Sequence, residues 1–143
     1  MKNKLTVLTS CLLMTVLCLC LFACGGNVAD KDVWAEAIYT SDTELGEGEK
    51  TVMVEVVAID KSVTLTLHSD KETLGEALSE HNLVEGEDGA YGLYVKKVNG
   101  IVADYDENQC YWGFNKNGEG MTTGVDGAVF EDGDHYELVY TSL

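Results

Sequence analysis

The clearest pattern in the chain is a two-residue alternation of apolar and polar positions in its middle third. The alternation runs twice, on either side of the dipeptide Asp60-Lys61, and its apolar positions are Val52, Val54, Val56 and Ala58, then Val63, Leu65 and Leu67. Strand side chains alternate between two faces, and β-branched residues are common in strands. We therefore predict a β-hairpin that turns at Asp60-Lys61 and buries one face.

A helical period follows the hairpin. Three apolar residues are spaced so that they share one side of a helix, namely Leu74, Ala77 and Leu78. Ser69 and Glu72 have the spacing of a capping box, in which two side chains satisfy the free N–H groups of the first helical turn. Asn82 suits the end of a helix. The pattern predicts one short helix that ends near His81.

The remaining sequence alternates short apolar segments with turns and acidic stretches. Strands are predicted at residues 91–98, 101–103, 111–115 and 135–141, with a first edge strand at 34–40. The dipeptides Asn99-Gly100 and Asn117-Gly118 are typical of tight hairpin turns. Loops are predicted at residues 41–50, 83–89, 104–109 and 124–133. A hairpin, one helix and several later strands together predict an α+β domain with the helix packed on a mixed sheet.

The N-terminus has the pattern of a secretory signal. Lys2 and Lys4 precede an apolar run from Leu12 to Ala23, and Cys24 follows directly. A basic start, an apolar stretch of this length and a small residue before the cut are typical of a signal peptide. A Cys at the first mature position accepts a lipid in bacterial lipoproteins. We predict a cleaved signal peptide at residues 1–23 and lipidation of Cys24; an uncleaved N-terminal anchor is the alternative.

Both alternatives place the rest of the chain on the extracellular face of the cytoplasmic membrane. The polar, glycine-containing stretch after Cys24 is typical of a flexible tether. The predicted organisation is therefore a signal peptide at residues 1–23, a lipid-anchored tether with a first edge segment at 24–50, and a folded domain at 51–143.

The composition restricts the classes of partner. The formal net charge is −16 at pH 7, and the sequence contains no Arg. This charge repels nucleic acids and anionic lipid headgroups, and the chain lacks the usual bidentate ligand of phosphate. Cys110 is the one cysteine after Cys24, so an internal disulfide and a cysteine-based metal site are excluded. We interpret Cys110 as a buried apolar residue, with a free thiol as the alternative.

No catalytic or metal-binding motif is evident in the sequence. The histidines are scattered and lack zinc-site spacing: His68, His81 and His135. Residues 104–108 resemble the start of a calcium loop, but Gln109 and Asn115 replace its glycine and its bidentate glutamate, which favours an acidic loop. No hydrolase nucleophile motif occurs. The aromatic residues of the middle strands are either core or a ligand platform: Tyr91, Tyr94, Tyr105, Tyr111 and Trp112.

Several short motifs between Leu74 and the C-terminus resemble those of one known family. They are Leu74-Gly75-Glu76-Ala77-Leu78, Val98-Asn99-Gly100-Ile101, Tyr111-Trp112, Asn117-Gly118 and Gly124-Val125-Asp126. They resemble the DUF4430 domain, which occurs on secreted and lipid-anchored proteins of Firmicutes and is similar to the C-terminal β-domain of transcobalamin and intrinsic factor. The resemblance covers residues 51–140 and implies a β-grasp-like fold.

The resemblance also implies a ligand surface, because the related domain of the cobalamin carriers covers one face of a corrin. Carried over by motif, the implied ligand-binding residues are Val95, Lys96, Lys97, Trp112, Asn117, Gly118 and Met121. The function expected from location and resemblance is a non-enzymatic, lipid-anchored module that captures a corrinoid (cobalamin) or another small cofactor for a membrane importer. A structural or protein-interaction module of the cell surface is the alternative.

Overall fold

The predicted hairpin is present in the computed structural model, which describes residues 32–143. Its strands are Lys50–Ala58 and Lys61–Ser69, and their apolar positions are buried while the polar positions between them are more exposed. Ala58 pairs with Lys61, so the turn is at Ile59-Asp60, one residue before the predicted dipeptide. The alternation therefore located the strands and their buried face correctly.

The hairpin belongs to a six-stranded mixed sheet, and three further strands form a second sheet. In chain order the elements are β1 (Thr43–Gly46), β2 (Lys50–Ala58), β3 (Lys61–Ser69), α1 (Leu74–Glu80), β4 (Val84–Gly89), β5 (Gly92–Val98), β6 (Ile101–Val102), α2 (Tyr105–Asn108), β7 (Cys110–Lys116), β8 (Glu119–Gly120) and β9 (Asp134–Ser142), with 3₁₀ turns at Val33–Glu36 and Val125–Gly127.

The strand order of the large sheet is β1-β3-β2-β9-β7-β8. The last strand, β9, lies in the centre of this sheet, parallel to β2 and antiparallel to β7. A hairpin, a helix and a final strand inserted beside the first one form the β-grasp arrangement. The predicted α+β class with a mixed sheet is confirmed.

The helix α1 begins four residues later than its predicted capping box implies. Thr73 and Glu76 form the capping box: the Thr73 hydroxyl accepts from the Glu76 N–H at 3.3 Å, and the Glu76 carboxylate accepts from the Thr73 N–H at 3.1 Å. Ser69 is still part of β3, where it pairs with Lys50, so the Ser69 box was wrong. The predicted apolar side of the helix is buried, namely Leu74, Ala77 and Leu78.

The edge strand of the large sheet is not where the sequence placed it. Residues 34–40 contain a 3₁₀ turn instead of the predicted strand, and Trp34 is buried with its indole N–H donating to the Ala58 carbonyl at 3.0 Å. The edge strand is β1, which pairs in parallel with β3. It lies inside the segment predicted as a loop, because its short alternation is interrupted by charge and glycine.

The second sheet has the order β4-β5-β6, and β4 (Val84–Gly89) lies within residues 83–89, where an acidic loop was predicted. Its carboxylates are partly neutralised across the β4–β5 pair by two ion pairs, Lys97–Glu85 at 2.9 Å and Lys96–Glu87 at 3.1 Å. The short helix α2 likewise lies in the predicted loop at residues 104–109. Cross-strand charge pairing of this kind supports a strand whose own composition disfavours it.

The folded unit begins earlier than the predicted domain boundary at residue 51. The compact unit spans Asp32–Leu143, since the 3₁₀ turn at Val33–Glu36 and β1 both contribute to it. Within this unit no helix is long and apolar enough to span a bilayer. The predicted signal peptide and Cys24 lie outside the described residues.

Candidate functional site

A polar cleft of about 560 Å³ lies at one corner of the large sheet. Three parts of the chain line it: the loop between β1 and β2, the end of β3 with the residues after it, and the C-terminal end of α1. The lining residues are Gly46, Glu47, Gly48, His68, Ser69, Asp70, Lys71, Glu80 and His81. Its volume lies in the range of about 300–1,000 Å³ that is usual for small-molecule sites.

Two glycines form the floor of the cleft. A Cβ at Gly46 would lie 2.2 Å from the His68 carbonyl oxygen, and one at Gly48 would lie 2.3 Å from the Ser69 carbonyl carbon. Gly46 also has a φ of +81°, which other residues rarely adopt. These positions let the β1–β2 loop lie directly against the end of β3, where the Gly48 N–H donates to the His68 carbonyl at 3.0 Å.

One wall of the cleft is a short hydrogen-bonded chain around the Glu80 carboxylate. The buried Ser69 hydroxyl donates to Glu80 Oε2 at 3.0 Å, and Lys71 Nζ lies 3.6 Å from Glu80 Oε1. Asp70 is held separately, because its Oδ1 accepts from the Glu49 N–H at 2.7 Å. Both carboxylates are therefore positioned by contacts within the fold.

Two imidazole rings complete the cleft. His68 Nδ1 lies 3.1 Å from the Thr51 hydroxyl oxygen, and His68 Nε2 lies 4.0 Å from Glu44 Oε2. His81 is the C-terminal cap residue of α1, and its Nε2 lies 3.3 Å from the position that a Cβ of Gly46 would take. The acidic side chains outnumber the one lysine of the lining, so the cleft favours cationic or hydrogen-bond-donating groups.

No metal site is preassembled in the described part of the chain. Within residues 32–143, His, Cys, Asp and Glu side chains do not gather in groups of three or more that could hold an ion. Cys110 is a buried free cysteine, in agreement with its interpretation as an apolar residue. A metal ion in the cleft would therefore need side chains to reorient around it.

The three predicted ligand residues of β5 lie elsewhere and have partners within the fold. Val95 is buried. Lys96 Nζ lies 3.1 Å from Glu87 Oε1 and 3.2 Å from Asp104 Oδ2. The hydrogen bonds that the Lys96 ammonium donates to Glu87 and then to Asp104 raise the pKa of Lys96 above its usual value. Lys97 Nζ is likewise paired, at 2.9 Å from Glu85 Oε2.

Trp112 is a core residue. Its exposed fraction is 8%, its ring packs edge-on against Tyr140 with centroids 5.6 Å apart, and its indole N–H has no hydrogen-bond partner within residues 32–143. Burial, followed by the contribution of Cys110, raises the pKa of the neighbouring Tyr140 to about 12. The core interpretation of Trp112 is confirmed.

The other predicted ligand residues follow β7. Asn117 and Gly118 form the exposed turn to β8, where the Gly118 N–H donates to both Glu137 carboxylate oxygens at 3.0 Å. Met121 is partly buried against the core, and its N–H donates to the Phe114 carbonyl at 2.9 Å. The seven predicted residues thus occupy a sheet, a core and a turn, and their role in ligand binding remains a prediction.

The cleft was not found from the sequence, although its histidines were noted as a strand end and a helix end. They meet because β1 pairs in parallel with β3, a contact that no local pattern predicted. The available signal was the Gly46-x-Gly48 spacing before β2, which permits a close approach of two backbones.

The chain is similar to one protein family and to two solved structures. Residues 71–142 match a family described as Domain of unknown function (DUF4430). The crystal structure of a candidate metal-binding protein from Ruminococcus gnavus is similar, with 36% identity and a TM-score of 0.62, over 66% of this chain and 99% of that one. Haptocorrin in complex with Cbi is also similar, with 17% identity and a TM-score of 0.49, over 68% of this chain and 26% of that one.

A search of curated proteins gave no match. The family match nevertheless spans half of the chain, and the R. gnavus protein is 36% identical along almost its full length. The quoted motifs in α1, in the turn at Asn99-Gly100 and in β7 all lie inside the matched residues. This chain therefore belongs to the DUF4430 family.

Proposed function

We propose that this protein is a non-enzymatic, lipid-anchored binding module that captures a small ligand outside the cytoplasmic membrane and passes it to a membrane importer. The observation that carries the proposal is the polar cleft, in which side chains from three parts of the chain converge over a glycine floor. The R. gnavus relative, described as a candidate metal-binding protein, supports a binding role.

The chemistry of the cleft indicates the class of ligand. Carboxylates of Glu47, Asp70 and Glu80 face it, and Lys71 is already directed to Glu80. The imidazole rings of His68 and His81 add nitrogen atoms of the kind that ligates metal ions. The ligand is accordingly cationic or carries several hydrogen-bond donors. Divalent Zn²⁺ and Co²⁺ are simple probes of this preference.

The ligand proposal is tested by titrating residues 25–143, a soluble form that contains the whole compact unit. Zn²⁺ or Co²⁺ should shift the imidazole NMR signals of His68 and His81. His135 is an internal control, because it lies apart from the cleft beside Glu55 and Glu137. His81→Ala removes one metal-binding side chain and should weaken binding by about tenfold, which corresponds to about 1.4 kcal/mol of binding free energy. Unchanged signals at millimolar metal, or equal shifts of His135, would contradict it.

A corrinoid is the second ligand candidate, favoured by exposed aromatic rings beside the predicted residues of β5. Tyr94 and Tyr105 are 43% and 49% exposed, and they flank Lys96 and its partner Asp104. In a separate fluorescence titration, cobinamide and cobalamin should quench the tryptophan emission saturably after inner-filter correction, and Tyr94→Ala should weaken that binding. A linear response without saturation would remove the corrinoid version and leave the cleft proposal intact.

The anchor is proposed from the signal sequence. Mass spectrometry of the protein from membranes should find a diacylglyceryl group on Cys24 as the first residue, and Cys24→Ala should not yield this species. Detection of residues 1–23 on the mature protein would instead establish the uncleaved anchor. Either result bears on location alone, since the cleft lies wholly within residues 32–143.

A further inference from the structure

The outer side of β4 is the longest unpaired strand edge within residues 32–143. β4 lies at one end of the three-stranded sheet, and the other end strands β1, β6 and β8 are shorter. From Glu85 to Gly89 every residue of β4 is exposed. Unpaired edges present free N–H and C=O groups that can pair with another strand.

The hairpin register identifies a residue that presents such groups. Gly89 pairs with Gly92 around a two-residue turn, and Asp88 pairs with Leu93. In an antiparallel pair, bonded and non-bonded positions alternate from the turn, so the backbone groups of Asp88 point away from β5. The Leu93 N–H agrees with this assignment, because it donates to Asp126 Oδ1 at 2.9 Å on the opposite side.

The side chains around this edge favour a positively charged partner. Lys97 and Lys96 neutralise Glu85 and Glu87, but Asp88 forms no ion pair within residues 32–143. Tyr91, at the tip of the same hairpin, is 90% exposed. Exposed tyrosine faces and carboxylates both attract ammonium and guanidinium groups. The overall charge of −16 repels a second copy of this chain.

We propose that the β4 edge, together with Tyr91, is a docking surface for an extended basic segment of a partner protein. The segment adds as a strand beside β4, and its backbone pairs with Asp88. Its Lys or Arg side chains contact the Asp88 carboxylate and the Tyr91 ring. This surface is separate from the cleft and does not depend on the ligand proposed there.

The test measures the binding of a fluorescent six-residue peptide of alternating lysine and valine to the full chain. The protein is kept in detergent micelles at about 150 mM salt, and binding is measured by fluorescence anisotropy. Asp88→Asn and Asp88→Pro lose the same charge, but only the second loses the outward N–H, which an edge strand tolerates. Asp88→Pro should bind at least about tenfold more weakly than Asp88→Asn, the effect of 1.4 kcal/mol. Tyr91→Ala should also weaken binding.

A second arm protects the test against misfolding of Asp88→Pro. A second peptide has the same sequence, but the backbone nitrogen of each lysine is methylated. It keeps its charge and cannot donate backbone hydrogen bonds to β4, so its affinity for the unsubstituted protein should fall at least about tenfold. Equal affinity of both peptides would show simple ionic adsorption and overturn the proposal. Self-association through β4, seen as a dimer that Asp88→Pro abolishes, would overturn it as well.

Discussion

Asn99→Ala is expected to destabilise the domain by about 3–4 kcal/mol, a large part of the 5–15 kcal/mol that holds a typical domain folded. Asn99 is fully buried and its amide replaces a strand partner for Tyr39: its Oδ1 accepts from the Tyr39 N–H at 2.9 Å, and its Nδ2 donates to the Tyr39 carbonyl at 2.8 Å. Loss of both bonds leaves backbone groups unpaired at a cost of about 2–3 kcal/mol.

The remaining cost comes from the backbone. Asn99 has a φ of 51°, where asparagine is tolerated and alanine loses about 1 kcal/mol. Asn99→Gly separates the two effects, because glycine keeps the turn without strain and should lose only the 2–3 kcal/mol of the amide bonds. Urea unfolding, followed by the fluorescence of the buried Trp34 and Trp112, measures both variants. Stability of Asn99→Gly equal to that of the unsubstituted protein would contradict the assignment.

The same interaction also holds the segment that precedes β1. Ile38 and Tyr39 bond to Asn99 through main-chain and side-chain atoms, and they lead from the predicted tether into β1. Asn99 therefore fixes the path by which the chain enters the fold. Faster hydrogen exchange of the Tyr39 amide in Asn99→Gly would accompany the loss of stability.

The elements that were predicted correctly are those that a local pattern determines. The β2–β3 alternation, the apolar side of α1 and the Asn-Gly turns each depend on residues within one or two turns of the chain. Glu85 and Glu87 misled the prediction of β4, because their lysine partners are in another strand. Trp34 misled the prediction of an edge strand at residues 34–40, because its burial comes from a 3₁₀ turn and from a hydrogen bond to the Ala58 carbonyl. Such compensation is tertiary and leaves no periodic signal.

The same reasoning explains why the candidate site was harder to predict than the fold. The family resemblance directed attention to β5 and β7, where Trp112 is in the core and Lys96 is in ion pairs. The cleft instead joins His68 and His81 through the parallel pairing of β1 with β3. A site assembled from three parts of the chain depends on the sheet topology. The two glycines of the β1–β2 loop are the one local sequence feature that indicates this cleft.

Gly75→Ala is the second substitution for which we expect a large change in stability, and two opposing contributions decide whether it stabilises or destabilises the fold. Alanine is favoured over glycine inside a helix by about 1 kcal/mol. Its Cβ, however, would lie 2.8 Å from the Asp126 Cα, 2.9 Å from the Asp126 N and 3.1 Å from the Val125 carbonyl carbon. These are backbone atoms that a rotamer change does not move, and overpacking of this kind costs about 1–3 kcal/mol. A contact below 3 Å places the cost at the upper end, so we expect a net loss of about 2 kcal/mol.

The clash reaches beyond the helix, because Asp126 holds the β4–β5 hairpin through the Leu93 N–H. Displacement of the 3₁₀ turn should therefore loosen this hairpin, and hydrogen exchange at Leu93 should rise together with the fall in thermal stability. Ser79→Ala is the matched control, since Ser79 is exposed on the same helix and should gain about 0.5 kcal/mol from propensity alone. If Gly75→Ala were as stable as Ser79→Ala, α1 would have room to move away from the turn, and close packing would not be the reason for the glycine in Leu74-Gly75-Glu76-Ala77-Leu78.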